Sequence, residues 1–253
     1  MGLIETEGII LKTYSLAEAD KIVVLLTQSQ GLVRGVAKGA KRLKSRFGGG
    51  LEPFSVISLT YFQKEERELV SISHVELIQS YFESASNPSF LQKFSYLADL
   101  LTEFAPPHDP NETLYRMARV CLETAAELPE HLESIALYFE LWVLRLGGYL
   151  PDWSFCDQCR RGFNAVETAG LQINFHLICR ACQKSKSGHP ISAEQRQIFA
   201  AAQKNSPTKF VELTGNQAED IRDLSSVLRR LISNIIGKES VGEKILTAGS
   251  LNK

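Results

Sequence analysis

The sequence predicts an α+β protein of several domains. A five-stranded barrel leads into an all-α domain that carries an inserted four-cysteine zinc module. Three observations carry this. Short β-rich runs fill the first 80 residues, apolar residues recur at spacings of three and four beyond residue 90, and Cys156, Cys159, Cys179 and Cys182 form two C-x2-C pairs. The chain has 253 residues, 44% of them apolar, enough for two or three small cores.

The strands come first. Ile9 and Leu11 alternate with Ile10 and Lys12, and the runs IVVLL (22–26), LVRGVA (32–37), FSVISLTYF (54–62) and LVSISHVELI (69–78) follow. Gly-, Glu- or Lys-rich turns separate them. Five short strands in 1–80 match the strand count of the OB-fold, with another small β-barrel as the alternative on pattern alone.

The period then changes. Phe90, Phe94, Leu97, Leu101 and Phe104 mark a helix that Pro106 and Pro107 stop. Asp109-Pro110-Asn111-Glu112 reads as an N-cap, a proline at N1 and a capping-box acid. The helix it opens carries Leu114, Met117, Leu122 and Ala125, with the fifth cysteine, Cys121, on that apolar stripe as a core residue. A third helix runs from about Glu130 to Leu146 and ends at Gly147-Gly148. Beyond the cysteines, Ser192 with Gln195 and Asn216 with Glu219 open two more helices, the last closed by Gly237. The expected domains are 1–80 (barrel), 81–150 with 188–237 (helical), 151–187 (zinc module) and a mobile tail, 238–253.

Two residues between paired cysteines let one tight turn aim both sulfurs at a single ion, and two such turns close a tetrahedron. Nineteen residues separate the pairs, the spacing of a four-thiolate site. A closed sulfur shell leaves no position for water or substrate, so the predicted cofactor is one structural Zn2+. His176 and His189 flank the second pair but are not needed to fill the shell. Arg160, Arg161, Arg180, Lys184 and Lys186 lie near the cysteines, against Asp157, and would offset the charge of the thiolates.

Net charge is −1, from 28 basic and 29 acidic residues, so any signal for nucleic acid must be local. It is: from Lys21 to Leu51 there is no Asp or Glu, while Arg34, Lys38, Lys41, Arg42, Lys44 and Arg46 all fall there. Gly39 precedes the densest part of this run, and Gly48, Gly49 and Gly50 follow it. Such a loop on a barrel suits a polyanion's backbone; Tyr14, Phe47, Phe54, Tyr61 and Phe62 are the aromatics available to stack a base, and Phe47, inside the loop, is the expected platform. Lys44-Ser45 lacks the preceding glycines of a P-loop.

Other readings find less support. His74-Val75-Glu76 with Cys156-x2-Cys159 approaches the zinc-deaminase signature, but no proline adjoins Cys156 and the second cysteine pair already completes the shell. No hydrolase, zincin or dinucleotide-binding motif is present, and a metal-dependent enzyme acting on nucleotides is disfavoured by the filled sulfur shell. Apolar runs are too short for a membrane span, and the opening MGLIETEG lacks signal-peptide features. Gly2 and Thr6 fit a short myristoylation pattern that no basic cluster adjoins. Paired cysteines in a chain without an export signal read as metal ligands in the cytosol.

The stretch ETEGIILKTYSLAEADKIVVLLTQSQGLVRGVAKGAKRLKSRFGGGLEPF, the passage LGGYLPDWSFCDQC and the HPIS before the next helix resemble the RecO family of bacterial DNA repair proteins. The resemblance covers nearly the whole chain and is most specific from Gly31 to Phe54. It implies an N-terminal OB-fold, a helical domain and an inserted zinc module. It also implies a non-enzymatic, cytoplasmic and nucleoid-associated recombination mediator. Such a protein binds single- and double-stranded DNA, anneals complementary strands and, with RecR, helps load RecA. It binds the acidic, apolar C-terminal tail of single-stranded-DNA-binding protein as well. DNA contact would sit on Arg34 to Arg46, and tail contact on the helical domain, where Arg116, Arg119 and Arg145 are the candidate carboxylate receivers. The alternative is a zinc-containing protein-interaction adaptor that does not bind DNA.

Overall fold

The structure, a computed structural model, describes residues 2–63, 68–183 and 188–236. Lys184, Lys186, Gly237 and the tail 238–253 lie outside the described residues. The chain divides into two compact units, Met1–Pro129 and Glu130–Lys253.

Unit 1 is built on five strands: β1 (Gly2–Ser15), β2 (Lys21–Thr27), β3 (Gly31–Ala37), β4 (Val56–Gln63) and β5 (Leu69–Gln79). They close in the order β1-β2-β3-β5-β4, an OB-like barrel in which only the β3–β5 pairing is parallel. Alternation sends Ile10, Val23, Leu25, Val33, Ile57 and Ile72 inward. An extra residue in β1 at Leu11 shifts the register between Ile10 and Lys12, which lets a 14-residue strand bend round the barrel. At Gly35 a Cβ would stand 2.8 Å from Ile72 Cγ1, so only glycine lets β3 approach β5 there.

Helices follow: α1 (Phe82–Ala85), α2 (Pro88–Phe104) and α3 (Glu112–Glu127). Asn87 caps α2 by accepting from Ser89 N at 2.9 Å, with Pro88 at the first turn. The cap of α3 is Asn111, which accepts from Leu114 N at 2.9 Å; the expected cap, Asp109, lies two residues outside the helix. Its backbone instead sits against Gly31, whose φ of +63° and lack of Cβ permit the contact. Both long helices pack on β1. The Phe54 ring meets Phe90 and Phe94 edge-on at 6.1 and 5.9 Å, Lys12 pairs with Asp99, and Arg119 reaches Glu7 at 2.9 Å. The helices α2 and α3 thus belong to the same compact unit as the barrel. The helices as far as α3 complete the barrel's outer packing, and the boundary falls at 129.

In unit 2, α4 (Leu132–Leu146) follows a 3-10 turn (Pro129–His131) and packs against α5 (Ala193–Lys204), α6 (Pro207–Thr214) and α7 (Ala218–Ile236). Tyr138 donates to Asn205 O at 2.9 Å and Trp142 to Ala202 O at 3.0 Å, so α4's two largest polar-tipped rings end on carbonyls at the end of α5. Gly148, with φ +76°, lets the chain leave α4. The Ser192–Gln195 capping box that opens α5 is complete in both directions. Between α4 and α5 lies a small sheet of order β7-β6-β8, made of β6 (Ala169–Leu171), β7 (Leu177–Ile178) and β8 (His189–Ile191).

Candidate functional site

Two constellations stand out, one in each unit. The cysteines of unit 2 come together: their four sulfurs lie within 4.8 Å of one another, and Cys159 Sγ is 3.9 Å from Cys179 Sγ. Each pair occupies one tight turn. Arg160 N donates to Cys156 O at 2.8 Å, and Arg160 takes a left-handed φ of +61° that turns the chain back. In the second turn Cys182 N donates to Cys179 O at 3.0 Å. Cys179 N points at Cys156 Sγ, 3.3 Å away, so the second turn stabilises the first turn's sulfur. The framework beneath is rigid: Asp157 N donates to Leu177 O at 2.9 Å, Trp153 Nε1 donates to Phe175 O at 2.8 Å, and the Trp153 ring stacks on Phe199 at 4.2 Å.

This geometry fits the predicted ion. Bonds of about 2.3 Å to a tetrahedral zinc put the sulfurs about 3.8 Å apart. Electrostatics agree. Burial pushes the Cys156 thiol up, but N–H donors from Cys159, Cys179 and Gln158 outweigh it and bring the thiol down to about 6. Burial also raises Cys179, and donation from Cys182 overcomes it, leaving Cys179 lowered. Cys182 is pushed up to about 12 because its proton bridges to Cys179 and Cys159. A bound cation would take that proton's place. Among the described residues no histidine joins the cluster; His176 Nδ1 instead meets Asp157 at 2.8 Å.

The expected compensating cations do local work. Arg161 forms a two-armed pair with Glu167, which raises the guanidinium pKa and lowers that of the carboxyl, and Cys179 adds to the rise at Arg161. Arg160 covers the Phe155 ring at 4.3 Å, and Arg180 is exposed. Sequence reasoning missed Arg196. It donates to Glu167 O at 2.6 Å and Asn164 O at 2.8 Å and lies over Phe163 at 4.8 Å, tying α5 to the cysteine module. Its position on a helix far from the cysteines gave no signal.

The second constellation is the β3–β4 loop of unit 1. Arg34 on β3, then Lys38, Lys41, Arg42, Lys44 and Arg46, are all exposed. Successive turns shape the loop: Arg42 N donates to Gly39 O at 3.1 Å, Ser45 N to Arg42 O at 3.0 Å and Gly50 N to Phe47 O at 3.1 Å. It is pinned to the β1–β2 turn, where Lys41 N donates to Ala19 O at 2.9 Å and Gly39 N to Asp20 Oδ1 at 2.8 Å. Among the described residues, no carboxylate pairs with any of the six cations; the neighbouring Lys21 takes Glu52 at 3.5 Å.

Phe47 is not a stacking platform. It is 3% exposed and, with Leu51, stoppers the barrel core. The Phe47 ring turns from the loop into the cluster that holds Val33, Ile57, Leu59 and Val75. Leu43, which sequence reasoning passed over, stands fully in solvent between Arg42 and Lys44.

The candidate partner residues separate. Arg119 is engaged by Glu7 and by Glu123 at 3.2 Å, whereas Arg116 is exposed. In unit 2, Arg145 covers the Trp142 ring at 5.0 Å and donates to Gln203. Gln203 lines a cavity of about 470 Å³ with Trp153, Phe163, Arg196, Phe199 and Lys204. Arg196 Nε and Gln203 Nε2 there are buried without a hydrogen-bond partner.

Among the described residues no helix is long and apolar enough to cross a membrane. Two family profiles match the chain, Recombination protein O N terminal over residues 1–81 and Recombination protein O C terminal over 94–244. It is 28% identical to the DNA repair protein RecO of Syntrophus aciditrophicus (strain SB), over 96% of this chain and 94% of that one. Against the protein of the same name from Dehalococcoides mccartyi (strain ATCC BAA-2266 / KCTC 15142 / 195) the identity is 26%, over 93% and 91%. The match to the RecO of Koribacter versatilis (strain Ellin345) is 32% identical but shorter, spanning 61% of this chain and 63% of that relative.

Proposed function

The chain belongs to the RecO family of DNA repair and recombination proteins, and from that premise we propose that it is a non-enzymatic, DNA-binding recombination mediator. One observation supports this above the rest: six exposed cations on β3 and a pinned loop, within a stretch free of acidic residues. They would replace the counterions along a phosphate chain, and the released ions gain entropy. Contacts to phosphates carry no sequence information, so binding would depend little on sequence. Two strands held on such a surface repel each other less, which is how annealing would be helped.

The four thiolates of Cys156, Cys159, Cys179 and Cys182 would hold one Zn2+, which supplies a structural cross-link when bound. These cysteines set the two turns, and the stack of Trp153 on Phe199 carries that order into α5. For the acidic, apolar tail of single-stranded-DNA-binding protein, we place contact at the cavity beside Arg145. There Lys204, Arg196 and Gln203 offer donors, and Phe163 and Phe199 an apolar wall. Arg116 would be a further carboxylate contact, while Arg119, already paired, leaves the proposal. RecR and, through it, RecA would be the protein partners, in the bacterial cytoplasm at the nucleoid.

The test is salt-dependent binding to single-stranded DNA. If all six cations meet phosphates, log K falls against log salt with a slope of about −4. Lys41→Glu with Arg42→Glu should weaken binding and flatten the slope, with the thermal transition unchanged. An unaltered slope would place the DNA surface elsewhere, and an absence of binding by the wild type would favour a protein-only adaptor.

A further inference from the structure

The outer face of β1, β2 and β3 is laid out in cross-strand rows by their register. Ile9, Leu26 and Leu32 form one row, Lys12, Val24 and Arg34 the next, and Tyr14, Ile22 and Val36 a third. The first row faces outward yet is buried, at 1%, 1% and 3% exposure. It lies where α2, α3 and the segment bridging Leu32 to Pro107 pack on the barrel. Among the described residues the third row has no such cover. Tyr14 is 51% exposed, and Ile22 and Val36 beside it are half-buried. Arg34 stands two residues before Val36 and Lys38 two residues after, both exposed. The adjoining pairs, Ser15 with Lys21 and Lys21 with Ala37, lead directly into the basic loop, which is itself pinned to the β1–β2 turn at Ala19.

An exposed aromatic thus shares a cross-strand row with two half-buried aliphatic residues, and among the described residues no carboxylate pairs with Arg34 or Lys38, which flank that row on β3. We propose that Tyr14, backed by Ile22 and Val36, stacks a base of single-stranded DNA whose phosphates follow Arg34, Lys38 and the β3–β4 loop. The inference rests on the DNA-binding reading above and adds a base contact to it. The charges select a polyanion, and the flat apolar patch between them matches the face of an unpaired base. A duplex hides those faces, so this contact belongs to single strands. Strands 2 and 3 and the turn before them are also where OB barrels engage oligonucleotides.

The experiment compares wild type, Tyr14→Ala and Tyr14→Phe on three ligands: a single-stranded oligonucleotide, the same length of abasic strand, and a duplex. Tyr14→Ala should weaken the ordinary single strand about five-fold or more. Its affinity for the abasic strand and the duplex should not change, and its salt slope should stay that of wild type, because no phosphate contact is removed. Tyr14→Phe should restore binding. Equal affinity of Tyr14→Ala and wild type for the ordinary strand, or equal losses on ordinary and abasic strands, would overturn the stacking role and leave the loop's phosphate role standing. Wild type that binds no single strand, or binds it without salt dependence, would overturn both.

Discussion

At Phe47 two demands meet in one residue. Its neighbours Arg46 and Lys44 are drawn to solvent and anions, while its own ring removes apolar area from water only by entering the barrel. The ring wins, because full burial of a large side chain outweighs what an exposed ring on a loop gains. Phe47→Ala should therefore lower stability by roughly 3–5 kcal/mol, read as a lower urea midpoint. Any loss of DNA binding should follow the unfolded fraction. Nothing in the sequence distinguished the two roles, since a glycine-rich loop has no period to assign faces. Tyr14 was equally ambiguous, and only the β1–β2 register put it outside. The cysteines were legible because two-residue spacing is local geometry. Cys179→Ser should lose bound zinc and destabilise the module, measured by metal content and unfolding on the same sample.

Elements were readable where they are long and periodic. The five strands and the helices α2 to α5 and α7 lie close to where alternation and capping residues put them. The short ones escaped. Helix α6 has eight residues, too few for periodicity, although Ser206, which accepts from Lys209 N at 3.3 Å, and Pro207 after it were its written start. Pairing between elements was less visible still. Glu140 on α4 is fully buried and accepts from Arg229 Nε on α7 at 2.7 Å and from Ser225 at 3.1 Å. Burial raises its carboxyl pKa, and these two donors work against that rise. In sequence Glu140 merely interrupts an apolar run, and its partner lies 89 residues away. Removing the partner leaves a buried acid alone, so Arg229→Ala should cost about 3–5 kcal/mol in chemical denaturation. Glu140→Gln, which removes the charge, should cost less.

For the whole molecule, the totals mislead and the placement informs. A net charge of −1 hides a cationic loop, because acidic residues are spread elsewhere. The period changes near residue 80, where the N-terminal family match also ends, while α2 and α3 pack on β1, so the compact unit runs to residue 129. No local pattern encodes that. Metal removal should act on one unit alone. With chelator, limited proteolysis should open the segment 151–183 while leaving residues 2–63 and 68–129 protected. Simultaneous cleavage in both units would show that the cysteine cluster supports the entire chain.

The stopper that Phe47 and Leu51 form has a consequence in time as well as in space. The positive array and the plug belong to one stretch of backbone, so the array acquires its shape only when β4 and β5 have arrived and the barrel has shut. A nascent chain that has emerged only as far as residue 50 carries every one of those cations but cannot present them in order. Ordering of the cationic array is thereby deferred until synthesis has passed β5.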